Sequence, residues 1–395
     1  MEHYKFAVIF EIFQKTRRKR VKSVEKIKVI EYISNFGDGG AETLVKDYVR
    51  LIDRKRFEPI VVTLRGEIKS ANRQTLEENH IPIIDIYPRW NMAVRIWNKA
   101  FGWWYIPHRL RKIIRSENAK VMHMHLMVLK DVARIGSALD GMRLLFTCHN
   151  VPESVFGGAR IGERRAAEKL IRKNNLQLIA LHREMAQELN QMFDVDNTVV
   201  IWNGIDVMRF QNINLTSEME RKKLGIPRNA FVVGHVGRFA DQKNHDFLVD
   251  VFIEVAKVRP NAFLLMVGAG DSTRIEEKLR TNGLEKQYMI LSQRSDVNEI
   301  MRAMDVFVFP SKYEGLPLVL IEAQYSGLRC IVSDKITKEA VCTQNVIMFP
   351  LENPSLWTKA IIDTSKKGVV YAPRHLFDMN EVIREIERLY SGESR

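Results

Sequence analysis

Cysteine is scarce in this sequence. Its three copies, Cys148, Cys330 and Cys342, share no metal-ligand spacing and form no disulfide framework, which points to a reduced, cytosolic compartment. Long hydrophobic runs are missing too: no uninterrupted apolar stretch approaches the ~18 residues needed to span a bilayer. Acid is thin in one half. Residues 1–205 hold 35 Lys and Arg against 23 Asp and Glu, a surplus of 12, whereas residues 206–395 hold 26 against 25. Such a basic half predicts an anionic partner, either a membrane leaflet or a nucleic acid. What is present is globular. A hydrophobic share of 46% and a charged share of 28% exclude a disordered chain, and 395 residues predict two domains of ordinary size.

Two stretches carry the unusual composition. Residues 1–22 place an apolar group (Phe6, Val8, Ile9, Phe10, Ile12, Phe13) before Arg17-Arg18-Lys19-Arg20. The charge follows the apolar part, the reverse of a secretory signal, so the segment reads either as a surface helix on an anionic membrane or as a plain extension. Residues 89–115 contain seven basic residues, no acidic ones, and Trp90, Trp97, Phe101, Trp103, Trp104 and Tyr105. Aromatics among cations suit a membrane interface, or stacked single-stranded bases, or a helix whose aromatics simply pack inward. No nucleic-acid fold signature accompanies the patch, which places the base-stacking reading last.

The rest of the chain alternates strand and helix patterns. Apolar runs rich in β-branched residues predict strands at 27–36, 57–64, 81–86, 120–126, 143–150 and 176–181. The rhythm restarts at 231–238, 262–267, 289–291, 306–309, 329–332 and 346–349. A closing amphipathic helix is expected over 380–390, and residues 207–228 read as an irregular linker. Repeated βα units predict parallel sheets, which bind ligands at the carboxyl ends of their strands.

Several of those ends carry chemistry. Gly37-Asp38-Gly39-Gly40 is a Gly-rich strand-to-helix turn, where Gly39 and Gly40 let a ligand approach the backbone closely. Arg238 and Lys243 stand at the two ends of one loop, a pair able to clamp a diphosphate by fork and point charge. Asn244 is expected to cap the next helix. Gly268 and Gly270 allow a tight turn. The stretch 305–334 reads strand, loop, helix, strand. Its loop carries Ser311 and Glu314, followed by the free N–H groups of Gly315 and Leu316, and Pro317 is expected in the first helical turn. Glu322 lies eight residues after Glu314, so both carboxylates can border one cleft. His123 and His125 point the same way on a strand, but no carboxylate or Cys partner with a usual spacing is near them, and no metal is expected there.

Glu314 and Glu322 match the E-x7-E motif, and DVFVFPSKYEGLPLVLIEAQYSGL resembles that of family-4 retaining GT-B glycosyltransferases, closest to exopolysaccharide and capsule-synthesis members. GRFADQKNHDFL, the GGAE loop, the His149-Asn150 dipeptide and NGID at 203–206 resemble the same family. The resemblance covers roughly 27–390, densest over 231–334. It implies an α/β GT-B fold, two Rossmann-like domains facing a central cleft. The extension is then 1–26, the acceptor domain 27–206 and the nucleotide-sugar domain 207–375, with 376–395 returning to the first domain. It implies that Glu314 and His149 meet the donor sugar, that Glu322 binds the ribose, and that Arg238 and Lys243 hold the diphosphate. The loop bearing Gly39 and Gly40 would face the donor across the cleft, and the segment around Arg294 would hold the base. Relatives have Gly where Gln293 stands, and Ser where His182 stands, so His182 receives no role. No cofactor or metal is implied. The expected partners are a nucleotide-sugar, with UDP as the default, and a saccharide or polyprenyl-diphosphate-linked acceptor. No nucleic acid is expected. The expected location is cytoplasmic, peripheral on the inner membrane face. Competing readings are a GT-B sugar-nucleotide epimerase or phosphorylase, and a basic nucleic-acid-binding protein.

Overall fold

The structure, a computed structural model, describes residues 25–66, 68–211, 216–292, 294–364 and 377–393. The N-terminal extension up to residue 24 and Gln293 lie outside the described residues, and so does the expected domain end at 375.

Two parallel sheets form. The first comprises β1 (Ile27–Ile33), β2 (Phe57–Arg65), β3 (Ile83–Tyr87), β4 (Val121–His125), β5 (Arg143–Thr147), β6 (Gln177–Ala180) and β7 (Val199–Val200). The second comprises β8 (Phe231–Val236), β9 (Ala262–Val267), β10 (Tyr288–Leu291), β11 (Val306–Phe309), β12 (Arg329–Ser333) and β13 (Val346–Phe349). The spatial orders are β3-β2-β1-β4-β5-β6-β7 and β10-β9-β8-β11-β12-β13. Each sheet starts in the middle, runs to one edge, then returns and runs to the other. That reversal opens a crevice at the carboxyl ends of β1 and β4 in one domain and of β8 and β11 in the other. The central strands are apolar because helices cover both faces: all of β4, β9 and β11 is buried.

The domains are joined by packing and by two adjacent chain crossings. Apolar contact is continuous from Leu181 and Ile205 in the first domain to Leu316 and Leu320 in the second. At the crossing the Ile205 amide donates to the Phe377 carbonyl (2.9 Å) and the Met379 amide to the Ile205 carbonyl (3.1 Å). Gly204 is needed there, because a Cβ would stand 2.8 Å from the Met379 Cα. The closing helix, Met379–Ser391, then lies on β1 and on the Gly40–Leu51 helix, burying Val382, Ile383, Ile386 and Tyr390.

Three local expectations need correction. Residues 207–228 are not an irregular linker: helices form over Val207–Gln211 and Ser217–Leu224. The second is anchored by Arg221, which pairs with Asp305 at 2.7 Å with both side chains 4% exposed. Pro317 does not enter the helix but precedes it as the N-cap of Leu318–Tyr325. Asn244 precedes the His245–Val258 helix in a left-handed conformation (φ 57°) and makes no side-chain cap. Among the described residues, no helix is long and apolar enough to cross a membrane.

Candidate active site

The second domain contributes charge. The loop after β8 and the loop after β11 meet at the reversal of the sheet, and Lys243 Nζ lies 2.7 Å from Glu314 Oε1. The ammonium also sits 4.7 Å from the centroid of Phe309, which closes its apolar side. Arg238, at the other end of the same loop, is exposed and faces Glu42 of the first domain, whose carboxyl is raised by burial and partly lowered by that guanidinium. Arg238 and Lys243 thus look to different partners rather than forming a pair.

Backbone approach is tight around these side chains. A Cβ on Gly268 would lie 1.9 Å from the Gly237 carbonyl oxygen, so the loops after β8 and β9 touch main chain to main chain. Gly270 holds φ 123°, open to glycine and strained for other residues, against Phe239. Beside them a groove of about 800 Å³ is lined by Phe239, Gly268, Gly270, Tyr288 and Ser292. Arg294 is held by Asp296 through contacts of 2.7 and 2.5 Å.

The helix side supplies the remaining groups. Ser311 is fully buried, and its hydroxyl has no hydrogen-bond partner among the described residues. The position of a Gly315 Cβ would be 2.5 Å from the His149 carbonyl oxygen, so at this glycine the two domains meet in close contact. The Leu316 carbonyl accepts from Asn203 Nδ2 across the cleft (2.9 Å). The amides of Gly315 and Leu316 have no partner among the described residues. Burial pushes the Glu322 carboxyl up to about 7, with Asp47 adding to the rise and Arg209 and Lys46 moderating it.

The first domain contributes a buried polar network. Gly39 caps the Gly40–Leu51 helix with an extended backbone, and a Cβ would strike the Glu42 carboxylate; the space over Gly40 is open. His149, just after β5, is half-buried and joins its Nε2 to His125 Nδ1 at 2.9 Å. His125 Nε2 reaches Glu31 Oε2 at 2.8 Å. The Tyr390 hydroxyl, from the closing helix, donates to Glu31 Oε1. His123 lies 2.7 Å from the Tyr390 hydroxyl through Nδ1 and 2.7 Å from the Thr147 hydroxyl through Nε2. A carboxylate does therefore lie beside His123 and His125, contrary to the sequence reading, because sheet order and not chain spacing brings β1 next to β4. Atoms of Glu31, His123 and His125 lie within 4.8 Å of one another. They are already engaged in hydrogen bonds and read as a network rather than an ion cage.

Sequence reasoning missed Glu31, Arg209 and Tyr390, and it placed Glu42 and Asn203 only within the GGAE and NGID motifs, without a site role. The available signal was Glu31 itself, a carboxylate inside the otherwise apolar run IKVIEYI. His182 has a structural duty: its Nδ1 accepts from the Met185 amide and caps the Arg183–Phe193 helix. Most of the aromatic segment lies on the Met92–Glu117 helix. Trp90, Trp97 and Tyr105 cluster on Tyr87, Phe101 packs against Trp97 at 5.7 Å while staying 52% exposed, and Trp103 and Trp104 are 61% and 52% exposed.

This geometry agrees with what the chain is similar to. The profile of Glycosyltransferase Family 4 matches residues 38–209 and that of Glycosyl transferases group 1 matches residues 230–367. The capsular polysaccharide biosynthesis glycosyltransferase CapH of Staphylococcus aureus is 25% identical over 385 residues, covering 93% of this chain and 99% of that one. The UDP-Gal:alpha-D-GlcNAc-diphosphoundecaprenol alpha-1,3-galactosyltransferase of Escherichia coli is 32% identical over 239 residues, 57% of this chain and 60% of that one. Anabaena HepE, solved in complex with UDP and glucose, superposes with a TM-score of 0.74 at 20% identity over 92% of this chain and 99% of that one. The fold is GT-B, and with both of its halves matched the chain belongs to the family-4 glycosyltransferases.

Proposed function

We propose that the protein transfers a sugar from a UDP-sugar to a lipid-diphosphate-linked saccharide in surface polysaccharide assembly, with retention and without a metal. The observation that carries this reading is the convergence of Lys243, Glu314 and the amides of Gly315 and Leu316 at the point where the second sheet reverses. Breaking the anomeric C–O bond leaves negative charge on a diphosphate. Lys243, Arg238 and the two amides can stabilise that charge as it develops, the work a divalent ion would otherwise do. A diphosphate arriving at Lys243 exchanges one anionic partner for another and frees Glu314 for the sugar, which His149 meets from the other wall. Glu322 suits the ribose, and the groove at Gly268 and Ser292 suits the base. Retention follows from same-face attack guided by the departing phosphate.

The acceptor half rests on the galactosyltransferase named above, whose acceptor is a diphosphoundecaprenol sugar, and on the Met92–Glu117 helix. Phe101, Trp103 and Trp104 project from a helix carrying cations and, before Glu117, no acid. That chemistry fits the headgroup region of an anionic leaflet, where rings sit at the boundary and cations meet phosphates.

A thermal-shift screen against UDP-, GDP-, ADP- and TDP-sugars, repeated with Lys243→Ala, tests the donor site. Stabilisation by UDP-sugars alone, lost in the variant, is expected. Stabilisation by none of them sinks the donor reading. Turnover with phosphate alone would make the protein a phosphorylase, turnover without an acceptor would make it an epimerase, and salt-steep RNA or DNA binding with no sugar transfer would make it a nucleic-acid binder.

A further inference from the structure

Glu31, His125 and His149 come from β1, from β4 and from the end of β5, three neighbours in the sheet. Their side chains touch in line, Glu31 Oε2 to His125 Nε2 at 2.8 Å and His125 Nδ1 to His149 Nε2 at 2.9 Å. Each contact holds one proton, and with both rings neutral only two placements exist. In one, Glu31 is a carboxylate, both rings carry Nε2–H and donate towards it, and His149 Nδ1 is a bare lone pair. In the other, Glu31 carries a proton on Oε2, both rings carry Nδ1–H, and His149 Nδ1–H is a donor. Moving from the first to the second takes up one proton at His149 Nδ1. The His149 Nε2 proton passes to His125 Nδ1, and the His125 Nε2 proton passes to Glu31 Oε2. The proton count balances and no imidazolium forms.

We propose that Glu31 and His125 are positioning residues that set the tautomer His149 presents to the cleft, so that protonation of Glu31 turns His149 Nδ1 from a hydrogen-bond acceptor into a donor. His149 Nδ1 has no partner among the described residues, whereas every other nitrogen and carboxylate oxygen of the three is engaged. Burial favours storing the proton on the carboxyl: it pushes Glu31 up to about 8 and holds His125 down to about 3. The groups packed against the chain add no charge. Tyr390 donates to Glu31 from the closing helix, His123 contacts Tyr390 and Thr147, and Tyr48 of the Gly40–Leu51 helix lies against both His123 and His125. The consequence for catalysis rests on the donor-sugar reading above. As a donor, Nδ1–H can hold a sugar oxygen or a phosphoryl oxygen. As an acceptor, it can only take a hydroxyl proton.

Ring nitrogen NMR of the full chain labelled with [15N]histidine, from about pH 6 to about pH 9, tests the relay without any substrate. His149, assigned by the signals lost in His149→Asn, is expected to pass from the Nδ1–H to the Nε2–H tautomer as pH rises through about 8, with no cationic ring. Glu31→Gln can donate its amide to His125 Nε2 but cannot titrate, so it is expected to hold the donor tautomer throughout. His125→Asn interrupts the chain and is expected to abolish the pH dependence while circular dichroism reports an intact fold. A single unchanging tautomer in the parent protein, or a His149 imidazolium, overturns the proposal. In transfer assays kcat/KM should show a limb that tracks the NMR transition and is missing in Glu31→Gln. A flat profile over a switching tautomer overturns the link to catalysis, and a protein with no transferase activity overturns the function while the NMR still decides the relay.

Discussion

The two walls of the cleft handle polarity in opposite ways. On the second domain, Lys243 and Glu314 are an ion pair with side chains 15% and 10% exposed, close enough to water that either partner can be exchanged for a substrate group. On the first domain, Glu31, His123 and His125 are 1%, 0% and 0% exposed and lean on one another, Tyr390 and Thr147. Charge there is expensive, so Glu31 holds its proton up to about pH 8 and the worth of these groups lies in direction. One wall can trade partners with an arriving anion; the other can only aim.

Lys243→Ala tests the charged wall and has the largest expected effect. It should lower kcat/KM by about 10²–10³, the scale for losing one group that stabilises developing charge. Retention of activity within ten-fold would remove that wall's role. Gly268→Ala places a methyl 1.9 Å from the Gly237 carbonyl and should force the two loops apart. Urea unfolding should show a loss of about 1–3 kcal/mol, and nucleotide stabilisation should weaken with it.

Glu31 gives the neutral wall a pH signature. Its folded carboxyl titrates near 8, against 4.5 ordinarily, so between those values the folded protein holds a proton that the unfolded chain has released. Stability from this group is complete below the unfolded value and is lost as pH rises through the folded one, with a slope of up to about 1.4 kcal/mol per pH unit. His125, depressed to about 3, works in the opposite sense up to its ordinary 6.5, so above 6.5 its opposing contribution is gone. Melting curves there should fall with pH in the parent and much less in Glu31→Gln, a comparison that cancels the same-signed contribution of Glu322. Equal slopes would mean that Glu31 is ionised throughout. The smallest effect belongs to neither wall. Trp103→Ser with Trp104→Ser should change stability by no more than about 0.5 kcal/mol, while sedimentation with anionic vesicles falls several-fold. Unchanged sedimentation would refute the membrane role of this face.

Which parts were legible follows from what each contact depends on. The alternating strands and helices could be read because their apolar periodicity is local, and the loops at 237–243 and 310–316 because their signal is contiguous. The first-domain network could not, since Glu31 and Tyr390 are 359 positions apart and meet only after the sheet and the returning helix are built. The helix at Ser217–Leu224 reads as linker in sequence because its inward anchor is Arg221, whose burial depends on a distant Asp305. Arg294 is assigned to the base segment by resemblance alone, and local spacing does not show that Asp296, two residues on, takes up its Nε and Nη2.

The returning helix also bears on how the protein is made. Residues up to about 206 leave the ribosome well before Met379–Ser391, and until that helix arrives Val29, Leu44, Tyr48 and Phe57 lack part of their cover. At roughly 5–20 residues per second, the first domain waits on the order of ten seconds in an unfinished form while the second is synthesised. A nascent chain stalled in that interval offers chaperones and proteases an apolar groove with Glu31 unanswered by Tyr390. The returning helix therefore closes the first domain only after the second has been made.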